Sequence, residues 1–218
     1  MRFTKVTTFV ALCALLLLGL PAFADSWTTF SNPGDDGYIA NTTNFGGGDG
    51  SLNFITSLGP FTYSNPQSEN SVPNSWATWN VPPFVESAFP NVLFNVGFST
   101  LHIDLSGSFN TSGFELEPDL FQIDTVSVTY HSSTGDSFTV TRDPNGSGGA
   151  LLFAVQDDTA GATITSIDIL DAAGDDFATA QWRAGNSGVS TTPEPGTMLL
   201  LGSGLLGALG VVRRKVNL

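Results

Sequence analysis

Apolar and polar residues alternate along most of this chain with a period of two, the signature of strands with one covered face. Phe94, Val96 and Phe98 alternate, and so do Leu101, Ile103 and Leu105. The phase changes near Ser99-Thr100, as a bulge would change it. Val126, Val128 and Tyr130, a polar turn over 131–136, then Phe138 and Val140 predict a hairpin. Leu151–Val155 is a short apolar run, suited to a strand covered on both faces. Ile164–Leu170 and Phe177–Trp182 add two strands. Weaker signals lie at Leu52–Ile55, at Phe61–Tyr63 and in one or two places between Asp25 and Gly50. Turn clusters such as Asn32-Pro33-Gly34-Asp35 and 143–149 separate them, and no long stretch of period 3.6 intervenes. The pattern predicts an all-β fold: an antiparallel β-sandwich or jelly-roll-like ectodomain.

One internal segment breaks the alternation. Asn65–Pro90 carries Pro66, Pro73, Pro82, Pro83 and Pro90, and each proline removes a ladder donor. A long irregular excursion is predicted there. Its Trp76, Trp79, Phe84 and Phe89 are expected to pack it against a sheet, with an aromatic binding surface as the alternative.

Both ends are apolar without alternation. Arg2 and Lys5, the apolar run Val10–Leu20, Pro21 and then Ala22-Phe23-Ala24 read as a secretory signal peptide over 1–24, cleaved after Ala24 in an A-x-A site formed with Ala22. At the other end no charge occurs between Gly196 and Val212. A helix of a soluble domain keeps a polar face, and this run has none. It predicts a C-terminal transmembrane helix roughly 25 Å long at about 1.5 Å per residue, slightly short of the ~30 Å hydrocarbon layer. Arg213, Arg214 and Lys215 form the cytoplasmic stop. Gly202-Ser203-Gly204-Leu205-Leu206-Gly207 fits the dinucleotide fingerprint, but no strand precedes it and no βαβ unit surrounds it, so the fit is accidental. The chain thus divides into a leader (1–24), an acidic β domain (25–186), a linker (187–192) and a tail (193–218).

Pro193-Glu194-Pro195, the Gly-rich leucine span and the terminal Arg-Arg-Lys together resemble the PEP-CTERM protein-sorting signal. The resemblance covers about the last 26 residues. It implies export in a Gram-negative bacterium, recognition by exosortase at the inner membrane, and processing near Pro193, Glu194 and Pro195, which would be substrate rather than catalyst. It also implies an exopolysaccharide or biofilm setting and says nothing of the domain upstream.

Charge narrows the partners of that domain. Of the seven basic residues, five lie in the leader and tail, leaving only Arg142 and Arg183 between Asp25 and Thr192. All twenty acidic residues except Glu194 lie in that same span. Such a field repels nucleic acid and anionic lipid and attracts cations. The only cysteine is Cys13, in the leader, so the mature chain can hold no disulfide, thiolate metal site or cysteine nucleophile.

Candidate chemistry is sparse. His102 falls within a strand and His131 at a turn, and neither a G-x-S-x-G nor an H-E-x-x-H motif is present. Glu115 and Glu117, with Asp119, are the one carboxylate set a glycosidase would use, and a spacing of two places the glutamates on one strand face. Asp35-Asp36, Asp157-Asp158 and Asp175-Asp176 offer hard oxygen ligands for calcium, with Asp175 and Asp176 favoured because Gly174 turns the chain beside them. No other cofactor is expected. Sequons at Asn41, Asn110 and Asn145 predict exposed loops. These features lead to the expectation of a non-enzymatic, exported surface or matrix protein, structural or adhesive, with polysaccharide as a candidate partner. A carbohydrate-binding module is the first alternative, requiring Trp76 and Trp79 to face solvent. A carbohydrate-active hydrolase is the second.

Overall fold

A computed structural model describes residues 26–188. The leader, the sorting motif and the apolar tail lie outside the described residues. Within them the strands are β1 (Trp27–Phe30), β2 (Thr42–Gly46), β3 (Phe54–Leu58), β4 (Phe61–Ser71), β5 (Asn91–Phe94), β6 (Thr100–Leu105), β7 (Thr111–Pro118), β8 (Val126–Ser132), β9 (Ser137–Arg142), β10 (Leu151–Asp157), β11 (Ile164–Asp171) and β12 (Phe177–Gly185). Every pairing is antiparallel, and the all-β antiparallel class predicted from the sequence holds. A single helical turn at Tyr38–Asn41, unforeseen in the sequence, leads into β2.

The strands form one continuous path in the order β1-β10-β7-β12-β5-β4-β6-β11-β8-β9, with β2 added to β12 and β3 to β4. Such a path curls with the natural twist of its strands, and its two ends come together. Trp27 of β1 stacks on Phe138 of β9 at 5.8 Å, and the Arg142 guanidinium of β9 donates to the Phe30 carbonyl of β1 at 2.9 Å. No ladder joins these ends, so the architecture is a near-barrel closed by side chains. Tyr130 of β8 spans the interior to donate to the Phe153 carbonyl of β10 at 2.9 Å.

Inward-facing residues fill one core. Phe61, Leu93, Ile103, Phe114, Val128, Phe153, Ile167 and Trp182 are all buried in it. Trp182 sits at its centre, 4.2 Å from the Phe114 ring and 4.8 Å from that of Phe61. A bulge puts it there. Gln181 has φ of 53°, and the β7–β12 register shifts between Ala180 and Arg183. Before the bulge Ala178 and Ala180 face out; after it Trp182 and Ala184 face in and Arg183 faces out. The two-for-one count of a bulge reverses the alternation.

Two smaller clusters lie outside the wall. Phe30 and Tyr38 cover Leu152 and Ala154 of β10. Val72, Trp76, Trp79 and Val85, from the segment 72–90, cover Val92, Ala150, Ala178 and Ala180. The central strands are thereby buried on both faces, as the apolar run Leu151–Val155 foretold.

Several boundaries differ from the sequence reading. The segment Phe94–Phe98 is not a strand: β5 ends at Phe94 and β6 begins at Thr100. Asn95 stops it, its buried amide donating to the carbonyls of Phe98 (2.9 Å) and Thr100 (3.1 Å), while Gly97 takes φ of 80°. Val96 and Phe98 are consequently exposed rather than core. The irregular excursion begins at Val72 rather than Asn65, because β4 runs through Pro66. Pro66 is tolerated where the β3–β4 register shifts and where β4 passes from β6 as neighbour to β5, so no ladder donor is missed. The Asn110 sequon is buried, with its side chain tied to Ser187.

Candidate interaction surface

The carboxylates of β7 were the sequence's only catalytic candidates. Glu115 and Glu117 do share one face of one strand, which points outward beneath the segment 72–90, hereafter the strap. Both are 0% exposed. Glu115 accepts the Trp79 indole N–H at 3.0 Å and the Glu86 backbone N–H at 2.6 Å. Glu117 accepts the Thr78 hydroxyl at 2.6 Å and the Gly148 N–H at 3.1 Å. Burial pushes the Glu115 carboxyl up to about 8, against the lowering effect of its two donors. Burial also raises Glu117, which Thr78 and Gly148 partly offset. The strap is clamped a second time by the bidentate pair of Arg183 with Glu86, at 2.5 and 2.8 Å. These carboxylates hold a covering segment in place and are closed off from solvent beneath it.

Trp76 and Trp79 are each 7% exposed and belong to the strap's apolar underside. They are packing residues, so the indole platform that a carbohydrate-binding module needs is not formed by them. Tyr38, Tyr63 and Tyr130 are buried as well.

The solvent face of β6, β11, β8 and β9 is polar apart from Leu170. Ser127 pairs with Thr141 (3.0 Å) and Thr129 with Thr139 (2.8 Å) across β8 and β9. Beside these hydroxyls, Asp168 of β11 sits between two imidazoles, His102 Nδ1 at 2.6 Å and His131 Nε2 at 2.7 Å. The bond to Asp168 raises the His102 pKa; for Asp168, burial raises the carboxyl, but the two histidine bonds outweigh it and leave the pKa lowered. The pairing was illegible in the sequence because the three residues lie on three strands.

Four connections meet at one end of the near-barrel: 95–99, 119–125, 143–150 and 172–176. They are cross-linked. Gly97 N–H donates to Asp176 Oδ2 at 2.7 Å, Asp119 N–H to the Asp176 carbonyl at 2.9 Å, Gln122 to Asp175 Oδ2 at 2.9 Å, and Asp124 N–H to the Pro144 carbonyl at 3.1 Å. Gly146 packs so tightly under Leu120 that a Cβ there would collide with its carbonyl oxygen. This loop end displays Val96, Phe98, Leu120, Phe121 and Ile123, the last two 69% and 66% exposed. Asp175 and Asp176 are thus brought to one place with Asp119, Asp124 and Asp171. Asp119 is raised by burial and by the charges of Asp176 and Asp175. Among the described residues, no three His, Cys, Asp or Glu side chains are arranged to hold a metal ion. Asp124 and Asp171 escaped the sequence reading, although each ends an alternating apolar row, which was the available signal.

Comparison with known proteins places one feature firmly. Residues 191–215 match the PEP-CTERM protein-sorting motif, covering Pro193, Glu194 and Pro195 and the Arg213, Arg214, Lys215 cluster. The tail is that of an exported protein processed by exosortase. Among the described residues no helix is long and apolar enough to cross a membrane. No curated protein matches the chain. Three solved structures are similar in fold at low scores. A variant of a family 29 carbohydrate-binding module has 11% identity and a TM-score of 0.38, over 71% of this chain and 98% of that one. The CBM22-1–GH10 modules of Clostridium thermocellum xylanase 10B, complexed with xylohexaose, have 13% identity and a TM-score of 0.35, over 58% of this chain and 26% of theirs. The enzymatically active domain of tailspike protein 4 from bacteriophage CBA120 has 14% identity and a TM-score of 0.29, over 67% of this chain and 19% of that one. Scores of this size leave function to be argued from the chain's own residues.

Proposed function

We propose that this chain is a non-enzymatic surface or matrix protein, exported, sorted by exosortase, and adhesive or structural in an exopolysaccharide or biofilm setting. One observation carries the adhesive part: Phe121 and Ile123 stand largely in water at a cross-linked loop end of a strongly acidic domain. Isolated exposed apolar residues are ordinary, but a contiguous group at one end marks a contact surface. Polysaccharide is met, in this reading, by the hydroxyl- and carboxylate-rich face of β6, β11, β8 and β9 rather than by stacking on buried indoles. The test replaces Phe121 and Ile123 with serine in the full-length gene of the producing bacterium, leaving the sorting motif intact. The variant is expected to be processed normally and to shift from the cell-associated matrix into the medium. Wild-type partition by the double variant would overturn the adhesive role.

A further inference from the structure

Beneath the apolar tips of the loop end lie two carboxylate oxygens that no described residue satisfies. Asp124 is 3% exposed and Asp171 is 1% exposed, and the Oδ2 atom of each is buried with no hydrogen-bond partner. Both point inward. Asp124 precedes Val126, Val128 and Tyr130 in an unbroken alternation of buried residues, and Asp171 follows Ile167 and Ile169 in another. The two rows are neighbours, since Asp171 opposes Val126 in the β8–β11 register and Ala172 N–H donates to the Thr125 carbonyl at 3.0 Å. Two acids therefore cap the same end of an apolar interior.

Asp171 meets a donor only at Oδ1, from the Ala173 N–H at 2.8 Å, and Asp124 is bonded by the Gln122 side chain. A buried carboxylate left half-satisfied and without a counter-charge still costs several kcal/mol unless it is neutralised or paired. No arginine serves here. Arg142 is directed to Phe30 and Ser31, and Arg183 to Glu86 and Thr42. Burial pushes the Asp171 carboxyl up to about 6, and the charges of Asp124 and Asp175 add to the rise. What the site lacks is positive charge.

We propose that Asp124 and Asp171 bind a divalent cation, calcium by their chemistry, and that it locks the loops 119–125 and 172–176 together. Two carboxylates are fewer than a cage built wholly of side chains, but calcium takes six to eight oxygens and accepts carbonyl and water oxygens for the rest. Zinc favours sites that include nitrogen or sulfur, whereas both histidines lie on the face of β6, β11, β8 and β9 and Cys13 in the leader. Magnesium keeps its waters and its octahedron and suits a buried, irregular site less well. Asp175, whose charge reaches both acids, adds to the attraction, while Asp176 is already spent on Gly97. The proposal stands independently of the adhesive reading.

The test uses the full chain in detergent, stripped with a chelator, and follows thermal unfolding as calcium or magnesium chloride is added. Wild type is expected to gain several degrees with calcium and distinctly less with magnesium. Asp124→Asn and Asp171→Asn should each abolish the gain. Asp136→Asn, which removes one charge in the β8–β9 turn, should keep it. No gain in wild type, an equal gain with magnesium, or a gain surviving in both site variants would overturn the proposal. Should the site variants fail to fold, wild type alone decides: calorimetric titration of the chelator-stripped chain must show close to one tight calcium per chain that an equal concentration of magnesium does not displace, and the absence of such a site would overturn the assignment.

Discussion

Single residues do most to set the behaviour of this protein where they are buried and ionisable, or bent against their nature. Glu115 titrates at about 8 in the folded chain and near 4.5 otherwise. A raised carboxyl binds its proton more tightly in the folded state, so its stabilising share is complete below about pH 4.5 and is lost as pH rises toward 8. The midpoint of thermal unfolding should fall over that window. Glu115→Gln should flatten the fall. It should also cost about 1–3 kcal/mol at pH 5, where the carboxyl is protonated, because each oxygen faces an N–H donor and an amide nitrogen, unlike a hydroxyl oxygen, cannot accept one. Thermal scans of the two proteins from pH 5 to 8 check both statements. Gln181 holds φ of 53°, a conformation that β-branched side chains resist. Gln181→Val should lose roughly 1–2 kcal/mol, measurable by denaturant unfolding, and Gln181→Gly should not. None of this was legible beforehand. Glu115 and Glu117 could be placed on one strand face, but their neighbours come from the strap, dozens of residues away, and a polar residue at positive φ leaves no mark in a pattern of two.

Among the elements, the strap is the one whose fate is least secured by backbone pairing. Indoles and small residues hold it: Trp76 and Trp79 lie on Ala150, Ala178 and Ala180, and larger side chains on the wall would lift it. Trp79→Ala should cost about 3–5 kcal/mol and orphan one of the Glu115 oxygens. Glu86→Ala strips the buried Arg183 guanidinium of its bidentate partner, so it should cost about 3–5 kcal/mol, and limited proteolysis within 72–90 should accelerate as the strap opens. Equal protection of the variant and wild type would contradict this. The sequence signalled the strap through its prolines and even its packing role, since tryptophans among prolines have no ladder to join. It misplaced the start, because Pro66 sits where β4 changes partners and a proline there is harmless. It also extended a strand through Val96 and Phe98, because the buried amide of Asn95 ends β5 by side-chain bonds that alternation does not encode. The hairpin of β8 and β9 and the strand β11 were readable because each lines the interior with a period of two, and β10 because an unbroken apolar run marks a strand covered on both faces.

At the scale of the whole molecule, charge and closure matter most. The described chain carries only Arg142 and Arg183 against all its acids, and self-repulsion of this kind weakens a compact state. With chelator present to keep divalent ions out, raising sodium chloride from low to physiological ionic strength should raise the unfolding midpoint through screening. A midpoint that fell or stayed fixed would show that the acids are already neutralised. The sorting motif was legible at this scale, since it is a linear signal read by another protein. The acidic pair at the loop end was not, because it needs two strands brought side by side.

The placement of β12 has a mechanical consequence. It is the last strand of the described fold, and residues beyond 188 lead from it toward the sorted tail. It is laced on one flank to β7 and on the other to β5 and β2. Any tug transmitted along the polypeptide from beyond residue 188 therefore arrives at an interior strand, and rupture must sever ladders on two sides at once instead of peeling a margin.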